Sequence, residues 1–200
     1  MPAPADVRTS AGLTRYRLDM ARLVLINGAP GSGKSTIAQA LAEDSRMALA
    51  VNIDALKHSL GRWEEHASAS GLHARRLTLA LASEQLRSGF DVIVGQYLAR
   101  TSFIEDLERL ATHYSARFYE FVLELDADTL ADRLAERISN PDRLEHRVNN
   151  RLVLPADANT LLQTIEALRR SRPGAIWVDA RGSPASTLGI LRTALKAPRS

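Results

Sequence analysis

Eight consecutive residues, Gly28-Ala29-Pro30-Gly31-Ser32-Gly33-Lys34-Ser35, fit the pattern G-x-x-x-x-G-K-[ST] at every fixed position. An apolar run from Arg22 to Asn27 precedes them, and an amphipathic stretch from about Gly33 to Glu43 follows. The order is buried strand, glycine-rich turn, helix. Glycines let the backbone turn tightly and aim its N–H groups inward. The start of the helix adds positive dipole at the same place. Such a turn is built to cradle phosphate. Gly28 through Ser35, with Thr36 beyond, is therefore the candidate nucleotide site. Lys34 would reach the β- and γ-phosphates of ATP, and Ser35 would offer its hydroxyl to Mg²⁺.

The rest of the 200 residues alternates strand and helix signals, which points to an α/β fold with a parallel sheet. Further strands are expected over Ala48 to Ile53, Asp91 to Gly95, Arg117 to Leu125 and Ala175 to Asp179. With the first, they make a five-stranded sheet. A helical region spans about Ala55 to Ser88, with a break near Ala69 to Gly71 and Gly89 as its C-cap. Helices follow over about Thr101 to Tyr114, from an Asp126 cap to Ile138, over about Ala156 to Ser171, and from a Ser183 cap with Pro184 at its first position. Residues 1–20, with Pro2, Pro4 and Gly12, read as a flexible leader. Residues 21–200 read as a single domain with an arginine-rich lid at about 139–152.

Composition narrows the chemistry. With no cysteine, the chain has no disulfide, thiolate metal site or thiol nucleophile. There is no apolar run of membrane-spanning length and no secretory signal core, so a cytoplasmic protein is expected. The net charge is only +3, which makes nucleic acid an unlikely partner. Most of the 26 basic residues are arginine, a side chain suited to bidentate phosphate contacts.

Asn52-Ile53-Asp54-Ala55-Leu56 places an acid at the tip of the second strand, on the edge where open parallel sheets bind ligands. Asp54 is the candidate base for an acceptor hydroxyl and a candidate Mg²⁺ ligand beside Ser35. An N-cap for the next helix is the other reading of the same residue. The strand, phosphate loop and helix, followed by a second strand ending in NIDAL, resemble the small-molecule P-loop kinases. The chloramphenicol phosphotransferase-like and gluconate kinase-like proteins of the AAA_33 group are nearest, with zeta toxins and nucleoside monophosphate kinases further off. The resemblance implies a three-layer P-loop NTPase fold of the kinase type, with Asp54 at the position of the catalytic base.

Many P-loop enzymes carry an aspartate at the end of the third strand. Here the tip reads Gly95-Gln96, and Asp91 lies at the opposite end. Asp54 or Gln96 would have to serve the metal. Arg133 and Arg137 lie four apart on one helix face, and Arg143, Arg147 and Arg151 repeat that spacing. The resemblance implies that Arg133 stacks on the base and Arg137 touches the phosphates. Arg137 thus joins Lys34 and Asp54 as a catalytic candidate. Between strands two and three, Arg62, Trp63, Glu64, Glu65, Arg75 and Arg76 make a polar acceptor side, while His66 and His73 are expected at the surface. The reading is an ATP-dependent phosphotransferase acting on a hydroxyl of an antibiotic, sugar or nucleoside. The alternative is a nucleotide-binding switch without a small acceptor.

Overall fold

The computed structural model describes residues 20–141 and 153–197. Five strands form one sheet: β1 (Arg22–Gly28), β2 (Leu49–Val51), β3 (Val92–Gly95), β4 (Arg117–Glu124) and β5 (Ile176–Asp179). Their order is β2-β3-β1-β4-β5, and every pairing is parallel. The helices are α1 (Lys34–Ala42), α2 (Ile53–His58), α3 (Ala67–Arg87), α4 (Ser102–His113), α5 (Ala127–Ser139), α6 (Ala158–Glu166), α7 (Leu168–Ser171) and α8 (Pro184–Lys196). A 3₁₀ turn, Pro155–Asp157, leads into α6. Among the described residues no helix is long and apolar enough to cross a membrane.

β1 shows why the sheet must be covered on both faces. Leu23 and Leu25 point into one apolar layer with Val92, Val94 and residues of α3 and α4. Val24 and Ile26 alternate into the other, with Tyr119, Phe121 and residues of α1 and α8. All four are almost fully buried. A third cluster joins Ala29 of the glycine loop to Leu130 and Leu134 of α5. α5 thus packs directly against the phosphate loop.

Several predicted caps hold. Asp126 accepts from the Thr129 amide at 2.8 Å and Ser183 from the Ser186 amide at 3.2 Å. Gly89 follows α3 at φ 81°, the left-handed conformation that closes a helix. Two boundaries differ from expectation. The second strand stops at Val51 rather than Ile53, because the Asn52 side chain accepts from the Ala55 amide at 3.1 Å and starts α2 there. The break in the long helical region lies between His58 and Ala67, not at Ala69 to Gly71. Its turn uses Arg62 at φ 55°, while Gly71 sits inside α3. Residues 1–19 of the leader and residues 142–152, including Arg143, Arg147 and Arg151, lie outside the described residues.

Candidate active site

In a parallel sheet the C-terminal strand ends share one edge, and that edge gathers the candidate residues. The glycine loop runs from the end of β1 to the first turn of α1. The Ser32 amide donates to the Ala29 carbonyl at 3.1 Å, and the Ile37 amide to the Gly33 carbonyl at 3.0 Å. Gly33 has φ 90°, where an L side chain is strained although the surrounding space is open. The requirement at Gly33 is therefore conformational. Ser32 Oγ is buried and has no hydrogen-bond partner, a polar atom left inside the cradle. Ser35 is half-buried and lines a pocket of about 160 Å³ with Gln39, Asn52 and Gly95, whereas Thr36 is exposed.

Lys34 is buried in the first turn of α1, and its Nζ donates to the Ala29 carbonyl at 2.7 Å. Burial pulls its pKa down from 10.5 to about 7. The Asp54 carboxylate works against that shift and the Arg137 guanidinium adds to it. These three side chains come from α1, α2 and α5, and Asp54 and Arg137 each lie within electrostatic reach of Lys34. Burial also lowers the pKa of Arg137. α2 brings Asp54 to the cluster in its first helical turn, where an acid also complements the helix dipole. The N-cap itself is Asn52, so Asp54 is not needed for that task.

The lowered Lys34 pKa has a sign that can be checked. The folded value lies below the unfolded one, so the buried charge weighs against folding below about pH 7. Stability should then rise as pH climbs from about 7 towards 10.5. A bound polyphosphate favours the charged form and should draw a proton in. At pH 8, above its lowered pKa, Lys34 is mostly neutral, so nucleotide binding should take up a proton. At pH 6 the uptake should be small. Calorimetry of Mg·ATP binding in buffers of different ionisation heat measures it. Buffer-independent heat at pH 8 would show that Lys34 is already charged there before nucleotide binds.

Arg133, the candidate for stacking on the base, is anchored on the loop that follows β5. Its guanidinium donates to the carbonyls of Ala180 at 2.8 Å, Arg181 at 3.3 Å and Gly182 at 2.9 Å. It thereby fastens the loop between β5 and α8 to α5. Asp91 lies at the N-terminal end of the sheet, as its position in the sequence suggests. There it accepts from the backbone amide of Arg22 at 2.7 Å and from its Nε at 2.9 Å. The tip of β3 offers no acid, and the Gln96 amide donates to the Ile26 carbonyl at 3.0 Å.

Between β2 and β3, where an acceptor side is expected, Trp63 stacks on His58 with ring centroids 4.3 Å apart, and Lys57 Nζ lies 4.7 Å over the indole. Arg62 is exposed and pairs with Glu65, and Arg75 lies 5.6 Å over the Phe103 ring. His66 and His73 are exposed. Sequence reasoning missed two asparagines. Asn52 caps α2, and the signal was an asparagine three residues before the Ala55 amide. Asn27 is fully buried, a lone amide closing an otherwise apolar strand.

Solved structures with the same fold include a gluconokinase from Sinorhizobium meliloti 1021, 21% identical, with a TM-score of 0.57 over 88% of this chain and 96% of that one. The deoxyadenosine kinase from M. mycoides with bound dATP is 15% identical, with a TM-score of 0.56 over 90% and 100%. The Deinococcus radiodurans tunicamycin resistance protein is 14% identical, with a TM-score of 0.57 over 90% and 100%. No curated protein sequence matches the chain. The AAA_33 family, described as an AAA domain, matches residues 23–153. That span holds the glycine loop, Asp54, Arg133 and Arg137 and covers more than half of the sequence, so the chain belongs to the AAA_33 family.

Proposed function

We propose that the chain transfers the γ-phosphate of ATP to a hydroxyl of a small polar acceptor, such as an antibiotic, sugar or nucleoside. The observation that carries this reading is the glycine loop with Lys34 buried in it, its Nζ turned onto the Ala29 carbonyl and its charge acted on by Asp54 and by Arg137. It puts a base and two cations where a strand, a glycine loop and a helix N-terminus already favour phosphate. The kinases among the similar structures support the reaction class.

In this reading the loop amides and Lys34 hold the β- and γ-phosphates. Asp54 orients the acceptor hydroxyl and takes its proton as the new oxygen–phosphorus bond forms. The bond from the γ-phosphorus to the β,γ-bridging oxygen breaks, and ADP leaves with that oxygen. Charge spread over the transferring oxygens is met by Lys34 and Arg137. Arg133 acts at a distance, by holding the β5–α8 loop. Magnesium, when bound, would neutralise phosphate charge. A hydroxyl at Ser35 and a carboxylate at Asp54 are the hard oxygen donors that would hold it. Among the described residues no three His, Cys, Asp or Glu side chains converge, so phosphate oxygens and water would complete such a shell.

The test is ATP turnover with Mg²⁺, alone and against pooled nucleosides, sugars and antibiotics, read by mass spectrometry. A library member gaining one phosphate supports the reading and names the acceptor class. ATP bound but neither transferred nor turned over faster with any member would favour a nucleotide-dependent switch.

A further inference from the structure

Asn27 is the last side chain before the glycine loop, and its relative exposure is 0%. Its Oδ1 accepts from the Gly28 amide at 2.8 Å and from the Leu98 amide at 2.9 Å. Its Nδ2 donates to the Leu98 carbonyl at 3.0 Å. The side chain therefore reads both backbone groups of Leu98, as a neighbouring strand would, although β3 has already ended at Gly95. The same side chain holds the first amide of the phosphate loop.

The loop from Gln96 to Arg100 is fixed on both flanks. The Leu98 side chain is buried in the layer under α3 and α4. Tyr97 packs with Val122, Ile165 and Leu168 on the α6–α7 side. Gln96 is half-buried and Arg100 exposed, on the sheet edge that carries the glycine loop. A buried amide is costly unless its hydrogen bonds are made, and here three are made. An apolar side chain would fill the space without that constraint. A carboxylate would set a second oxygen against the Leu98 carbonyl.

We propose that Asn27 is a positioning residue: its amide ties the Gln96–Arg100 loop to the first residue of the phosphate loop, and so fixes how that loop meets the transferring phosphate. This rests on the phosphotransferase reading above. It adds a link between the two loops that neither the glycine motif nor Asp54 supplies.

Two variants test it, Asn27→Asp and Asn27→Ala. Mg·ADP binding is measured by calorimetry, and ATP turnover is measured per bound site from pH 5.5 to 8.5. Both variants should bind Mg·ADP at full stoichiometry. Turnover per site should fall about tenfold or more at pH 8 in both, with KM for ATP little changed, because misplacement of reacting groups by an ångström costs on that scale. Asn27→Asp should recover towards the wild-type rate as pH falls, since a protonated carboxyl can donate to the Leu98 carbonyl. Asn27→Ala should show no such recovery. Hydrogen exchange at the Leu98 amide should speed up in the alanine variant while the β1 amides stay protected.

Three results would overturn the proposal. One is Asn27→Ala turning over like the wild type, even if Asn27→Asp is slow, because charge beside the phosphates would then be the cause. Another is turnover falling only in step with binding stoichiometry, which marks a merely structural role. The third is unchanged protection of Leu98. Wild-type protein that binds no Mg·ADP is a different failure, because it removes the phosphotransferase reading itself.

Discussion

Asp54→Asn is expected to lower turnover by about 10²–10⁴-fold while Mg·ATP still binds, which is the usual loss when a general base is removed. Asparagine matches aspartate in size and keeps a hydrogen-bonding oxygen, but it cannot take the acceptor's proton. The substitution spares the start of α2. α2 is capped by Asn52, so Asp54→Asn leaves the cap in place. Asn52→Ala is the complementary change and should cost about 1 kcal/mol of stability through the lost cap. Asp54→Asn also removes the carboxylate that supports the charged form of Lys34. Proton uptake on nucleotide binding should therefore begin at lower pH in the variant. Rates come from steady-state turnover, and binding comes from calorimetry. Wild-type turnover in the variant would assign the base elsewhere.

The second large effect lies away from the site. Glu120 of β4 is 3% exposed and accepts from Arg172 Nε at 2.8 Å, and the same guanidinium donates to Glu108 at 2.9 Å. Glu120 Oε1 has no partner, and burial raises the pKa of this carboxyl despite the arginine. Arg172→Met would leave a buried acid without its counter-charge, a loss of about 3–5 kcal/mol in comparable pairs. The pH dependence has a definite direction. A raised folded pKa means that the native state holds the proton more tightly than the unfolded chain. Stability should then fall as pH rises from the ordinary carboxylate range through the folded pKa. Arg172→Met should be worst at alkaline pH and partly relieved in acid. Adding Glu120→Leu should restore much of the loss, because two apolar groups need no counter-charge. Urea denaturation at pH 5 and pH 8 measures both. Equal destabilisation at the two pH values would show that lost packing, not lost charge, is responsible.

How far the sequence could be read depended on the range of each interaction. The glycine loop was legible because its chemistry is contiguous. Asp126 and Ser183 were legible because a cap acts over three residues. Ile53 misled because an apolar residue after Leu49–Val51 looks like more strand, while the Asn52 cap had already begun a helix. The helix break was misplaced because the left-handed residue is Arg62, not a glycine, and because nothing lies within 4 Å of a side chain added at Gly71. Arg133 and Arg137 share a helix face, yet one grips backbone carbonyls and the other acts on the charge of Lys34. Helical spacing cannot separate those roles, since they depend on what lies opposite. The contacts of Asn27 with Leu98 and of Glu120 with Arg172 span 71 and 52 residues. No local pattern announces them.

Gly95 couples the end of β3 to the helix that follows the phosphate loop. A Cβ at this position would lie 3.1 Å from the Lys34 carbonyl oxygen and 3.3 Å from the Ala38 Cβ, so α1 would have to give way by a few tenths of an ångström. An aspartate arriving there by mutation would bring a new carboxylate and disturb the phosphate-loop lysine in the same step. The gain and the injury would be inherited together. A designer who wants an acid at Gly95 itself must therefore first move the helix.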